Sequence, residues 1–252
     1  MKKLIIILAL IPALSFAQKT ISAKEIFESI DKGQPVSIQD ALIEGDLDLT
    51  ELSNKKNVQR GKNWNGEEYK SKVTAPISFT NCVFKGDFIA YKHIDKKTGK
   101  NYGNISVNWN GDGVTYSTDF EKAVIIENCK FEGKSEFKYS SFYETARFTG
   151  TKYTEEANYK YADFKQNAFF DACVFGRYAS FKYTNFKGDA DFYGVLFDET
   201  ADFKYTNFDE RSTFKSTTFR GFADFKYTNF DTSRNFDNTK FQGGSDFKYS
   251  KK

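Results

Sequence analysis

The chain has 252 residues, with 37 Lys and Arg against 34 Asp and Glu, a formal net charge of +3. An aromatic load of 28 Phe and 15 Tyr, against 3 Pro and 1 Met, places it among soluble β proteins forming one elongated domain. Charge this close to balance argues against a strongly acidic rod, and the single histidine, His93, leaves little for histidine-based catalysis.

Residues 1–17 read as a secretory signal. Lys2 and Lys3 precede the apolar run Leu4–Leu14, and Ser15-Phe16-Ala17 supplies a small-residue cleavage site. The run is too short to span a bilayer comfortably, and no Cys follows it as a bacterial lipid anchor would need. Removing two lysines leaves +3 − 2 = +1. The expectation is an exported protein, periplasmic or secreted, and not integral to a membrane once the signal is removed.

Residues 18–44 read as an N-terminal cap, a helix over 22–32 with a lead-in strand. Ser22 and Glu25 have capping-box spacing, Ile21 and Ile26 can staple the entry, and Gly33 with Pro35 ends the helix. Ile26, Phe27 and Ile30 form an apolar stripe, which suits a lid over the open end of a solenoid.

From residue 45 to 252 the chain reads as coils. Gly45–Leu49 and Thr50–Leu52 read as the first two sides, Ile77–Phe79 and Cys82–Phe84 as the third and fourth. Phe88–Lys92 is a poor first side of the next coil, completed by Thr118–Phe120, Val124–Ile126 and Cys129–Phe131. Two insertions, 55–76 and 93–117, break the phase. They carry Asn63-Trp64-Asn65-Gly66 and Asn108-Trp109-Asn110-Gly111, with the only two Trp of the chain. Asn-Gly between alternating residues is a strong hairpin signal. Both insertions are therefore expected to be β-hairpins, side by side at the corner of the first and second sides.

The rest of the chain repeats every 22 residues. ADFKYTNF occurs at Ala201–Phe208 and again at Ala223–Phe230, with looser copies from Ser135, Ala157 and Ala179 and a partial one from Ser245. Its aromatics, Phe181, Phe186, Phe192, Phe197, Phe203, Phe208, Phe214, Phe219, Phe225 and Phe230 among them, are spaced alternately 6 and 5 apart. Such steps scatter side chains around a helix and mix the faces of a long strand. Short strands joined by corners fit, each placing one Phe inward, and 5 + 6 + 5 + 6 closes a four-sided coil of 22. The residue two before each aromatic is usually small and shares its face. Each buried Phe contributes ~1.5–3 kcal/mol, most of it offset by chain entropy.

These units resemble the pentapeptide-repeat family, whose repeat is roughly Ala-(Asp/Asn)-(Leu/Phe)-x-x. ADFKY at Ala201–Tyr205 and TNFDE at Thr206–Glu210 match it residue by residue, and the clean match covers residues 124–249. The resemblance implies an all-β fold, a right-handed quadrilateral β-helix, with the N-terminal helix and two hairpins as additions. The chain departs from the family in using Phe or Tyr rather than mainly Leu, and in a sixth residue on two sides per coil, where corners should bulge. Arg234 occupies a nominally inward small position and is expected to distort its side. At Lys251-Lys252 the last coil leaves two readings, lysines as gatekeepers against edge pairing or two molecules meeting end to end; family members often pair this way, so the resemblance leaves a homodimer through the C-terminal coil as one of the two.

Constellations for chemistry are few. No GxSxG, HExxH, P-loop or Rossmann signature occurs, so no catalytic residue, metal ligand or cofactor is assigned and an enzyme is not expected. Asp202, Asp224 and Asp246 form an outward column that calcium would suit, but Lys204, Lys226 and Lys248 two positions on neutralise it. Cys82, Cys129 and Cys173 share one inward column; the plainer reading is small buried thiols, and the alternative is a Cys82–Cys129 disulfide. The outward ladder of the first side carries Tyr139, Tyr161, Tyr183, Tyr205 and Tyr227 beside Lys182, Lys204 and Lys226. Such a strip suits stacking on sugar rings or meeting an anionic polymer. Its plainer role is to stabilise the ladder, as that of the Trp hairpins is to decorate a corner.

The expected function is a non-enzymatic exported rod binding an envelope or extracellular partner, polysaccharide or protein, through that strip, Trp64 and Trp109. Two alternatives remain. The resemblance implies a DNA mimic inhibiting a type II topoisomerase, against which the lysine columns and the signal stand. The other is a metal-dependent polysaccharide-active enzyme. Nucleic acid is not expected as a partner.

Overall fold

In this computed structural model, residues 19–58, 67–96, 99 and 113–251 are described. The expected signal over 1–17, and Trp64 and Trp109, lie outside them. Four parallel sheets form the walls of a right-handed β-helix. The first wall runs from Leu47–Asp48 to Ser245–Asp246, and the third from Val36–Gln39 to Arg234–Asn235. The fourth wall begins with Lys19–Ser22 and Ala41–Glu44 and ends at Lys240–Phe241. Strands two residues long repeat with 22-residue register, Ala201 facing Ala223 and Asn207 facing Asn229.

The rings fill the tube as a herringbone. Along the first wall Phe203 stacks on Phe181 at 4.9 Å and on Phe225 at 4.8 Å, nearly coplanar. Across the tube it meets Phe192 and Phe214 of the third wall edge-on, at 5.4 and 5.3 Å. Both are favoured arrangements of a ring quadrupole. Tyr153 and Tyr159 are fully buried, and each satisfies the other through a 2.9 Å hydrogen bond between hydroxyls.

The inward small residues divide into two kinds. On the first and third walls they are mostly Ala, as at Ala201 and Ala190. On the second and fourth they are mostly donors: Thr184, Thr206 and Thr228 bond the carbonyls of Tyr159, Phe181 and Phe203 one coil back, each at 2.7 Å. Phe181 O also accepts the N–H of Thr184 at 3.0 Å, so both its lone pairs are used. Thr206→Val keeps the shape and removes one donor. Urea unfolding should show a loss of about 1–2 kcal/mol, with Thr206→Ser recovering most of it.

The five-residue corners are closed four-residue turns. Thr206 N–H donates to Phe203 O at 3.1 Å, and Tyr205 between them has φ +57°. The extra residue of the six-residue steps falls at the other two corners. Arg234 does not break its wall, contrary to expectation: Ser212 still faces Arg234, whose guanidinium lies 5.1 Å from the centre of the Phe230 ring.

The lid helix covers Ala23–Asp31, with Ser22 Oγ accepting the N–H of Lys24 at 3.2 Å. Ala23, Ile26 and Ile30 are its buried face. The walls start earlier than residue 45, because Val36–Gln39 and Ala41–Glu44 already pair as rungs. Thr50–Leu52 is not a strand as expected. Leu49–Glu51 is a 3-10 turn, and Ser71–Val73 takes the second wall at that level, Val73 facing Phe120. Asp48 explains the turn, since its carboxylate accepts from both the backbone N–H and the hydroxyl of Thr50.

Both insertions leave as antiparallel arms, Lys56–Asn57 with Glu67–Val73 and Tyr91–Asp95 with Gly113–Phe120. Glu67–Val73 and Gly113–Phe120 run parallel and in register, extending the second wall outward. Tyr91–Asp95 thereby stands at the corner of the first and second walls, beside the next coil.

Candidate functional site

That corner carries one continuous column. Tyr139, Tyr161, Tyr183, Tyr205, Tyr227 and Tyr249 stack with centroids 4.7–4.9 Å apart. Tyr91, buried in the hairpin arm, heads the column 5.7 Å from Tyr139. All six stacked tyrosines have φ between 57° and 62°. This left-handed region costs a side-chain-bearing residue about 1–2 kcal/mol. The equivalent corner after the third wall uses Gly150, Ala172, Gly194, Ser216 and Asn238, mostly small residues or ones that tolerate this backbone. A stacked pair contributes about 0.5–1.5 kcal/mol, so stacking roughly cancels the strain. Stability alone does not account for tyrosine at every rung.

The geometry corrects one expectation. The tyrosine faces lie against one another, so between rungs the column offers ring edges and hydroxyls, not flat faces for sugar rings. Tyr249, the last ring of the stack, is 58% exposed, with Lys248 Nζ 4.9 Å from its centre.

The lysines beside it fall into two groups. Lys204 Nζ lies between Asp202 at 3.5 Å and Asp224 at 3.2 Å, and Lys226 between Asp224 at 3.5 Å and Asp246 at 3.6 Å. Burial works against the Lys204 charge, but Asp202 and Asp224 outweigh it and hold its pKa above the usual value. Lys138, Lys160 and Lys182 stand instead beside Glu136, Asn158 and Ser180. They make no ion pair among the described residues. Burial, then the neighbouring ammonium of Lys160, pushes the Lys138 pKa down to about 8; Lys160 is lowered by burial and by Lys182. Lys138 Nζ donates to Tyr91 Oη at 3.2 Å and lies 4.5 Å from that ring's centre. Burial raises Glu136 to about 7, although Asn158 Nδ2 donates to its carboxylate at 2.8 Å.

Lysines neutralise the aspartate column as expected, and its members are more enclosed than an outward position implies. Asp202 and Asp224 are only 5% and 6% exposed. Besides the lysine ammoniums, Asp202 accepts the Tyr178 hydroxyl at 3.0 Å, and both accept backbone N–H groups, from Lys204 and Lys226. Nothing in the sequence marked Tyr178, 24 residues earlier, as the cover over Asp202.

The three cysteines are buried and free, so the Cys82–Cys129 disulfide alternative is not formed. Each thiol is engaged as a donor instead, as the threonines of the same column are. Cys82 Sγ reaches Thr80 O at 3.3 Å, Cys129 Sγ reaches Glu127 O at 3.3 Å, and Cys173 Sγ reaches Phe148 O at 3.0 Å. Burial pushes the Cys173 thiol up, away from reactivity. His93 lies in the hairpin arm with Nδ1 3.0 Å from Thr115 Oγ1, and burial lowers its pKa. No three of His, Cys, Asp and Glu gather as a metal site among the described residues.

Residues 159–207 match the family model described as pentapeptide repeats, with 9 copies. No curated protein and no solved structure matches the chain.

Proposed function

We propose that this pentapeptide-repeat protein is a non-catalytic exported rod whose first-wall corner contacts an envelope or extracellular partner. The observation that carries the reading is tyrosine in a left-handed turn at every rung, where the opposite corner uses mostly small residues. Residues 1–17, with their basic start and apolar run, support export. The DNA-mimic alternative has less support, because the acidic column of the first wall is neutralised by Lys204 and Lys226. The enzyme alternative has no assembled residues to support it among the described residues.

The test exchanges the corner without disturbing the tube. Tyr161→Gly, Tyr183→Gly and Tyr205→Gly together lose stacking but relieve strain of similar size, so the fold should persist by circular dichroism. Retention in the envelope fraction of producing cells should fall about tenfold, equivalent to about 1.4 kcal/mol of binding. A folded triple variant retained like the wild type would refute the reading.

A further inference from the structure

The lysine column changes character within the repeat. At the coils of Lys204 and Lys226 the repeat supplies Asp at its second position, and each ammonium is paired on both sides. At the coils of Lys160 and Lys182 that position holds Asn158 and Ser180, and no anion replaces it. The next carboxylate along, Asp202, is occupied by the Tyr178 hydroxyl and the Lys204 ammonium. Lys138, Lys160 and Lys182 are therefore three partly buried cations in single file, one per rung, none of them ion-paired among the described residues, with Glu136 beside Lys138 as the one carboxyl at the repeat's second position on these three rungs. Rungs of a parallel sheet are about 4.8 Å apart, so these cations repel one another. The hydroxyls of Tyr161 and Tyr183 belong to the same corner and can donate beside them.

We propose that Lys138, Lys160 and Lys182 form an anion-binding track for a linear acidic polysaccharide, one carboxylate or sulfate per rung. The inference rests on the first-wall corner being the contact surface and names its ligand. A straight file of equally spaced ammoniums matches a polymer carrying one anion per repeating unit, rather than a single compact anion. The track is bounded at one end by the hairpin arm Tyr91–Asp95 and at the other by the paired Lys204. Single-stranded nucleic acid is a poorer match, because it needs exposed aromatic faces for its bases and these tyrosines spend theirs on each other.

Titration calorimetry of the full chain with polygalacturonate at low salt tests this. Wild type should bind it, and the fully methyl-esterified polymer, which lacks the charges, should bind about tenfold more weakly or not at all. Ser180→Asp restores the repeat's own residue at the place from which Asp224 bridges Lys204 and Lys226, so it should pair Lys160 with Lys182. It should keep the fold and weaken binding about tenfold, as should Lys160→Gln with Lys182→Gln. Lys226→Gln with Asp246→Asn, which removes one charge of each sign beyond the track and leaves Lys204 with Asp202 and Asp224, should change affinity by no more than about twofold. Ser180→Asp binding like the wild type, equal loss from the Lys226 and Asp246 double variant, or tighter binding of oligo-dT would each overturn the proposal. Failure of wild type to bind polygalacturonate would overturn it too, while leaving the contact reading to the envelope-retention experiment.

Discussion

Replacing Phe203 by alanine is expected to destabilise the protein by about 3–5 kcal/mol, the range for truncating a buried aromatic. The ring is fully buried at mid-rod, sandwiched between Phe181 and Phe225 and met edge-on by Phe192 and Phe214. The cavity cannot close by collapse. The spacing of the rungs is fixed by backbone bonds such as Phe203 N–H to Asp224 O at 2.8 Å, and the neighbouring rings are already in contact with their own stacks. Because each coil touches chiefly its neighbours, the lesion weakens two interfaces at once and reduces cooperativity along the rod. Urea unfolding should show both a lower midpoint and a shallower slope, and amide exchange should quicken around residues 181–225 before it does near the lid. Phe247→Ala, where the ring is only partly buried, should cost about 1–2 kcal/mol. Equal losses at the two positions would show that the stacked rings are not the main source of stability.

The tube was legible in the sequence because backbone geometry sets the period, and a step of five or six residues between inward rings leaves one closed shape. The tyrosine and lysine columns followed from the same phase. What stayed hidden depends on groups far apart in the chain. Val36–Gln39 reads as lead-in until Ile77 is seen to face Val36. Leu49–Glu51 becomes a turn because Asp48 holds Thr50, leaving the second wall to Val73 on the far side of an insertion. The outward aspartates looked open because a column position tells nothing of what lies over it, and Tyr178 and the lysine stems bury them. The tyrosine faces looked available because the period fixes where the side chains sit and not how the rings turn. Small inward residues gave no hint that Thr206 and Cys173 are chosen as donors as well as for size.

The second large effect belongs to Glu136. Its carboxyl is buried on the first wall and raised to about 7 from an ordinary 4.5, burial outweighing the Asn158 hydrogen bond. A group whose folded pKa is raised favours the folded state fully below the unfolded value, and that contribution is lost as pH rises through the folded one. The window is therefore about 4.5 to 7, and a shift of this size corresponds to an upper limit of about 3 kcal/mol. Lys138 works on the other flank. Its folded pKa is down at about 8 from 10.5, so its contribution is present above 10.5 and lost as pH falls through 8. Near pH 7.5 both groups carry charges that the fold disfavours, relieved in part by their mutual attraction. Glu136→Gln keeps an oxygen to accept from Asn158 Nδ2 and removes the ionisation. The variant should match the wild type at pH 4.5 and exceed it by on the order of 2 kcal/mol at pH 7.5, measured by urea unfolding. Taking the difference between the two proteins cancels the titration of every other carboxylate. Parallel profiles across that window would mean the Glu136 carboxylate is solvated in the folded chain, and that the corner beside the hairpin arm is wetter than its packing indicates.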